Sequence, residues 1–302
     1  MNPVAETTAA ILVLFRPASD PAAAIARLAA TLGQVVVVDN TPAGHPLLGA
    51  TPLPAGVRLL HNANAGALAG AYNRALALLR RAAVPPRQVV LVDEDSDATV
   101  LQALLADPAV QALLADERTA AVAPAYCDRA TGLRGKHMQL GRWRLHYLPR
   151  RFDGLQPVAF VINSMSVWRL AALDTIGPFD EGLRVDHVDT DFCLRARRAG
   201  LQVWLHGGHE FRHAIGERRR YRLFGRELQA GGHSPERRYL IGRNTAWLGR
   251  RYLWREPAFA ALCAMRLAYE AVGIVMAEAQ RGPKLAALLR GALTGLFARR
   301  LR

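Results

Sequence analysis

Four short apolar runs constrain this chain most: ILVLF at 11–15, VVVVDN at 35–40, GVRLLHN at 56–62 and VVLVD at 89–93. Runs this short and this dense in Val, Ile and Leu read as strands, ILVLF as a buried one and GVRLLHN as a shorter one, of a sheet covered on both faces. Between them, PAAAIARLAATLG (21–33) opens on a proline and closes on a glycine, and AGALAGAYNRALALLRRA (65–82) has helical apolar spacing, so both predict helices. The order βαββαβ predicts an α/β fold with a mostly parallel central sheet flanked by helices. Ligands of such sheets bind beyond the carboxyl ends of the strands, where Asp39 and Asp93 fall.

The fourth run ends in Asp93, Glu94, Asp95 and Asp97, with only Ser96 between the last two. Four carboxylates in five residues repel one another unless a cation sits among them. Hard divalent ions such as Mg²⁺ or Mn²⁺ prefer oxygen ligands and often complete their shell with phosphate oxygens. A solvated turn or a helix cap uses the same residue types, and Asp97 is placed to cap a helix beginning near ATVLQALLAD. A second acidic group, Asp186, Asp189 and Asp191, precedes the helical pattern FCLRARRAG. It reads either as the acidic first turn of a helix or as a general base at the mouth of a pocket.

Charge and composition narrow the partners. At 302 residues and 51% hydrophobic, the chain can bury a sizeable core as one large α/β domain with an appendage, or as two domains. Of its formal +14, residues 201–302 supply twelve, with 19 Lys and Arg against 7 Asp and Glu. All the basic residues but Lys136 and Lys284 are arginine, whose planar fork suits phosphate. An anionic partner is expected: a phosphorylated substrate, an acidic lipid headgroup or nucleic acid. Nucleic acid is disfavoured, because no basic motif with interleaved aromatics appears. No run of 18 or more uncharged apolar residues occurs, and MNPVAETTAA has no signal-peptide pattern, so nothing points to export or a membrane span. Cys127, Cys193 and Cys263 are few and far apart, and read as reduced, buried thiols of a cytosolic protein.

An ordered set of motifs then carries a resemblance: FRP (15–17), VVVVDN (35–40), NANAGALAGAYNRAL (62–76), VLVDEDS (90–96), FVINSMSVWRL (160–170), IGPFDEGLRVDHVDTDFCLRARRAG (176–200), HAIGERRRYRLFG (213–225) and HSPERRYLIGRN (233–244). This succession resembles the inverting glycosyltransferases of family 2, with the GT-A fold. Within them it is similar to the bacterial rhamnosyltransferases that use dTDP-L-rhamnose. The resemblance implies a catalytic domain over 1–230, with a nucleotide-binding half (1–100) and an acceptor half (101–230), followed by a helical basic region over 231–302. By the same resemblance, Asp39 meets the nucleotide base with Arg16 and Pro17 beside it. Asn64, Gly66 and Asn73 line the donor pocket, with Glu94 next to the metal-binding pair Asp93 and Asp95. Asp189 is the catalytic base, with Asp191 and Arg195 its structural neighbours. Ser164, Ser166, Asp186 and Asp191 lie on the acceptor side. His213 faces the diphosphate or the metal, and Arg237, Arg238, Tyr239, Arg243 and Asn244 form a basic motif near the donor. The family's small glycine after the serine is Met165 here, which alters the acceptor pocket.

The implied activity is metal-dependent, inverting sugar transfer with Mg²⁺ or Mn²⁺, from dTDP-L-rhamnose to a saccharide or lipid-linked saccharide of the bacterial cell surface. UDP-galactofuranose or a UDP-hexose is the alternative donor. A nucleotidyltransferase is the rival enzyme, but FRPASD stands where its glycine-rich phosphate loop is expected. Zinc on His206, His209 and His213 with Cys193 is a minor alternative, because paired Cys-x-x-Cys spacing is missing. The two apolar stretches of the tail, AFAALCAMRLAYEAVGIVMA and KLAALLRGALTGLFARRLR, suit helices on a core or in a homodimer. The second also suits an anionic membrane surface, which implies a cytoplasmic protein peripheral to the inner membrane.

Overall fold

The computed structural model describes residues 3–17, 20–46, 48, 52–94, 99–129, 131–213, 219–223 and 225–301. The chain divides into two compact units, one of residues 1–138 with 148–214, the other of 139–147 with 215–302.

In the first unit, a short helix α1 (Pro3–Glu6) leads into β1 (Thr8–Leu14), followed by α2 (Ala22–Thr31), β2 (Gln34–Asp39), β3 (Val57–His61), α3 (Ala67–Arg80) and β4 (Gln88–Asp93). These are the strands and helices that the apolar runs predict, displaced by a few residues at the ends. Helices α4 (Thr99–Ala106) and α5 (Pro108–Ala115) precede β5 (Thr119–Asp128). After a small hairpin of β6 (Met138–Leu140) and β7 (Leu145–Tyr147), whose residues 139–147 belong to the second unit, the first unit continues with β8 (Leu155–Val158), β9 (Val167–Arg169), α6 (Leu170–Ile176), a 3-10 turn (Glu181–Leu183), α7 (Val188–Arg198) and β10 (Gln202–His213).

The sheet has the order β3-β2-β1-β4-β9-β5-β10-β8. Strands β9 and β8 run against their neighbours, and the other six are parallel to one another. The fold class is therefore the mostly parallel α/β class expected from the sequence. The register decides where the carboxylates go. Leu14 pairs with Asp39 on one side of β1, and Val13 pairs with Asp93 on the other. Both aspartates thus stand on one rim, flanking the end of the same strand. Beneath them Ile11, Leu12, Val36, Val37, Val90 and Leu91 are essentially excluded from solvent and anchor the strands.

The second unit contains a ribbon of β11 (Arg219–Leu223) and β12 (Arg226–Ala230), then α8 (Pro235–Tyr252), α9 (Pro257–Ala277) and α10 (Arg281–Phe297). Ser234 caps α8, its hydroxyl accepting from the Arg237 amide. Gly291 and Gly295, one turn apart, let α10 approach α8 closely, because a Cβ at either would collide with the carbonyls of Tyr239 or Arg243. Inside this unit lies a fully buried cation, Arg238, ion-paired with Glu270 and Glu278. Lys284 joins Glu278 at 2.8 Å. Burial alone would raise the Glu278 carboxyl, but Lys284, Arg238 and the Gly232 amide hold it below its ordinary value.

This network corrects one expectation. Arg238 was expected near the donor, yet its guanidinium is 0% exposed and committed to two carboxylates within the C-terminal unit. Arg243 is also buried, its Nε donating to Asn244 Oδ1 at 3.0 Å, whereas Arg237 is exposed. Removing the central cation strands two buried carboxylates. Arg238→Ala is expected to lower the unfolding free energy by about 3–5 kcal/mol, read from denaturant melts of the full chain. A loss below about 1 kcal/mol would show that Glu270 and Glu278 find other partners.

Candidate active site

The rim of the first sheet is built by loops under strain. Eight non-glycine residues have positive φ among the described residues, and seven of them lie at this rim, Arg16, Ala63, Asn64, Met165, Arg184 and His187 in its loops and Ala67 as the first residue of α3. Left-handed backbone costs a non-glycine residue about 1–2 kcal/mol and persists where surrounding contacts over-determine it. Here the contacts are visible. Asn62 donates to Asn40 Oδ1 at 2.7 Å and to the Ala65 carbonyl at 2.8 Å, while Asn40 donates to Asn64 Oδ1 at 3.1 Å. Arg74 donates to Asn62 Oδ1 at 3.0 Å. This ladder of amides bends the chain from β3 into α3. Gly66, at φ 64°, begins that helix, and a Cβ there would strike the Glu181 carboxylate.

Asp39 shapes the neighbouring loop. Its Oδ2 accepts from the His45 amide at 2.8 Å and lies 3.3 Å from His61 Nδ1, and its Oδ1 accepts from the Thr41 amide at 3.0 Å. Burial alone would raise this carboxyl, but the amides of His45 and Thr41 hold it below its ordinary value. Arg16 joins the same loop through its amide, which donates to Thr41 Oγ1 at 3.1 Å. Pro17 follows it, half-buried, and the exposed Glu94 accepts from the Phe15 amide at 3.3 Å.

The chemistry converges on Asp93. Ser164, on the segment leading into β9, donates its hydroxyl to Asp93 Oδ2. Tyr72, fully buried on α3, donates to Asp93 Oδ1 at 3.4 Å. Asp189 enters from the first turn of α7, its Oδ1 accepting from the Thr190 amide at 2.6 Å. The Tyr72 phenol is pushed well above its ordinary pKa, first by burial and then by the negative charges of Asp93 and Asp189. Two carboxylates nearly a hundred residues apart therefore act on one hydroxyl. Below them Phe179 stacks on Phe192 at 3.9 Å, with Tyr72 and Trp168 at 5.2 and 5.0 Å, and this aromatic floor fixes the start of α7. The Asp93 carboxylate offers oxygen donors of the type that hard divalent cations prefer. Asp95, expected as the second ligand, lies outside the described residues, as does Asp97.

Several expected site residues have other work. Asp191 is fully buried and paired with Arg195 at 2.8 Å, so it faces the core rather than an acceptor. Ser166 is fully buried too; it donates to the Asn163 carbonyl at 2.6 Å and accepts from Trp168 Nε1 at 2.8 Å. Asn73 clamps the chain at Phe179, accepting from its amide at 2.8 Å and donating to its carbonyl and to Glu181. That bond pattern consumes its amide, so Asn73 shapes the site instead of lining it. Met165 is wholly buried at φ 64°, the backbone conformation that a glycine would adopt without strain. Asp186 is half-buried in the turn before α7. His213 ends β10, three strands from β4 in the sheet order, with its ring against Tyr126 and Phe211.

The zinc alternative is corrected. Cys193 is buried, its Sγ near the Val161 carbonyl, and burial pushes its thiol up to about 12, the opposite of a metal-binding thiolate. His206 and His209 do converge, each with Nε2 at 3.1 Å from Asp107 Oδ2. However, His206 Nδ1 accepts from the amides of Gly208 and His209, so its Nε2 carries the proton and donates to Asp107. The cluster ties the irregular stretch of β10 to the cap of α5, where Asp107 Oδ1 accepts from Ala109 at 2.8 Å. A cavity of about 750 Å³, lined by Thr7, Arg87, Gln88 and Arg169, sits where β1 and β4 begin, at the rim opposite Asp93.

Sequence reasoning missed Tyr72, Asn40, Asn62, Glu181 and His61. The signal for Tyr72 was available: a polar-tipped aromatic on the apolar face of α3, aimed at the end of β4.

No family model matches this chain. Over 90 residues, 30% of the chain, it is 33% identical to the dTDP-rhamnosyl transferase RfbF of Shigella flexneri; the match spans 29% of that relative's length. This agrees with the resemblance drawn from the motifs. Among solved structures, it is similar to GalNAc-T7 with UDP, GalNAc and Mn²⁺ at a TM-score of 0.48 and 12% identity, over 87% of this chain and 54% of that one. It is similar to Staphylococcus aureus TarS 1–349 at a TM-score of 0.45 and 15% identity, over 97% and 72%.

The Asp39 arrangement has a pH signature. A carboxyl held below its unfolded value contributes stability that is full above about pH 4 and is lost as pH falls through the folded value. Asp39→Asn is expected to flatten the acid side of a melting-temperature profile between neutral pH and about pH 3. An unchanged acid slope would show that its amide bonds do not favour the ionised form.

Proposed function

We propose that the chain is an inverting glycosyltransferase that moves a sugar from a nucleotide diphosphate donor to an acceptor hydroxyl. The donor is dTDP-L-rhamnose, and the acceptor is a saccharide or lipid-linked saccharide of the bacterial cell surface. The reaction belongs at the cytoplasmic face of the inner membrane. The observation that carries this reading is the Asp93 carboxylate at the end of β4, held by the hydroxyls of Tyr72 and Ser164, with the Asp189 charge at the start of α7 acting on the same buried phenol. The Shigella relative's name supports the choice of donor.

The roles follow from the chemistry. The acceptor oxygen attacks the anomeric carbon from the face opposite the diphosphate, and the bond from that carbon to the phosphate oxygen breaks with its electron pair. The hydroxyl proton passes to Asp189, which stands in the first turn of α7. Asp93, oriented by Ser164 and Tyr72, holds the diphosphate side together with Asp95 and a divalent cation, and His213 is assigned to the same side. When bound, Mg²⁺ or Mn²⁺ offsets the charge that grows on the leaving phosphate. Asp39, Arg16, Pro17, Asn64, Gly66 and Glu94 form the nucleotide side of the rim, and Ser164 with Asp186 borders the acceptor side.

Two substitutions separate these roles. Asp189→Asn is expected to abolish transfer from dTDP-L-rhamnose, by at least about a hundredfold, while donor affinity is kept. Asp93→Ala is expected to weaken donor binding in Mg²⁺ or Mn²⁺ and to leave the small metal-free binding unchanged. Calorimetry and a product assay, with UDP-galactofuranose and a UDP-hexose as comparison donors, read both. Full turnover by Asp189→Asn would remove the base from this account.

A further inference from the structure

The C-terminal unit carries an apolar surface that a water-soluble helix bundle normally hides. Helix α9 is 21 residues long and contains a window of 18 residues with a mean hydropathy of 1.6, of which only 22% is buried. Its outward stripe recurs at helical spacing through Ala261, Ala264, Met265, Ala268, Val272 and Met276, all exposed. Solvent-facing helix stripes are ordinarily polar. Helix α10 repeats the pattern with Leu289, Leu293, Leu296 and Phe297, the last 79% exposed. Trp254, just before α9, is 85% exposed.

The charges around this surface have one sign. Among the described residues 250–301, eight arginines are exposed, including Arg255, Arg281, Arg290, Arg299 and Arg300, and no carboxylate is. Glu256 and Glu278 are buried, and Glu270 is turned inward to Arg238. The same ion pair decides the orientation of α9. Glu270 lies near the middle of the helix and is tied to α8, so α9 is held against its neighbour along one side and cannot span a bilayer alone. An apolar stripe with arginines on its flanks, whose stems reach along the apolar layer while their heads stay wet, fits the boundary of an anionic bilayer. A second copy of the chain fits less well, because pairing the stripes would bring two sets of arginines together without opposing carboxylates.

We infer that α9 and α10 lie in the plane of an anionic membrane, with Met265, Val272, Met276, Leu289 and Leu293 in the acyl boundary and the arginines on phosphate headgroups. This deepens the proposed location of the enzyme and names the surface that holds it there; it does not depend on the sugar-transfer chemistry. A bilayer-held enzyme would meet lipid-linked acceptors by diffusion in two dimensions.

The test is co-sedimentation of the full chain at low ionic strength with vesicles of phosphatidylcholine containing about 30% phosphatidylglycerol, and with pure phosphatidylcholine. The wild type is expected to bind the anionic vesicles and to bind neutral ones at least about tenfold more weakly. Val272→Gln with Met276→Gln is expected to lower anionic binding at least about tenfold, and Arg299→Gln with Arg300→Gln about tenfold or more. All four residues are exposed, so melting temperatures should not move, and donor hydrolysis without vesicles should persist in both variants. Loss of hydrolysis in the wild type would therefore strike the transfer reading alone. Absent vesicle binding by the wild type, or binding unaffected by Val272→Gln with Met276→Gln, overturns the inference. So does a stable dimer that the same substitutions dissolve while vesicle binding is absent.

Discussion

Everything at the candidate site depends on negative charge held at the end of a buried strand. Asp93 sits on the rim because five residues of β4 before it are buried between neighbours and admit no slip of register. A carboxylate so placed is unfavourable beside a second one, and Asp189 acts on the same phenol. The fold answers with donors, Ser164 and Tyr72, which orient Asp93 and partly neutralise it. In the proposed function this rim faces a nucleotide diphosphate and its hard cation.

Strain accompanies this arrangement. Left-handed residues stand at several places on the rim, and the Asn40, Asn62 and Asn64 ladder holds those between β3 and α3. A flexible rim would let Asp93 and Asp189 relax apart. The amide ladder, the Asn73 clamp and the stacked Phe179 and Phe192 keep α3 and α7 in place, so the charges stay opposed. Residues around Asp93 and Asp189 thus fix the spacing between them.

How much of this was legible in the sequence depends on what each residue's type encodes. The strands were legible because a buried parallel strand must be a short, continuous apolar run, and VVVVDN and VVLVD admit few other readings. The positions of Asp93 and Asp189, at the end of a strand and in the first turn of a helix, were legible from the pattern around them, whereas a cap or a first-turn charge uses the same residue type. Asp191, Asn73 and Arg238 make buried structural bonds, and a polar residue near a motif looks functional until its burial is known; for Asp191 the pairing with Arg195 matches its expected place as a structural neighbour of Asp189. Asp191 is turned inward by the helical period, two positions from Asp189. Arg238 is neutralised by carboxylates thirty-two and forty positions away, a pairing no local pattern reveals. Tyr72 was missed from the opposite side, because an aromatic in an apolar stripe looks like core, and most of its ring is. The outward stripe of α9 was read as a core or subunit contact, since sequence alone does not say which face of a helix is covered.

The central claim is geometric, that one ligand is held between Asp93 and Asp189. The most direct measurement is a crystal structure of the full chain with a nucleotide-sugar and Mn²⁺, read through the anomalous scattering of manganese. The account predicts an anomalous peak against Asp93, with the anomeric carbon turned toward Asp189. A peak elsewhere, at Asp107 with His206 and His209 for instance, or a donor bound away from both carboxylates, would contradict it.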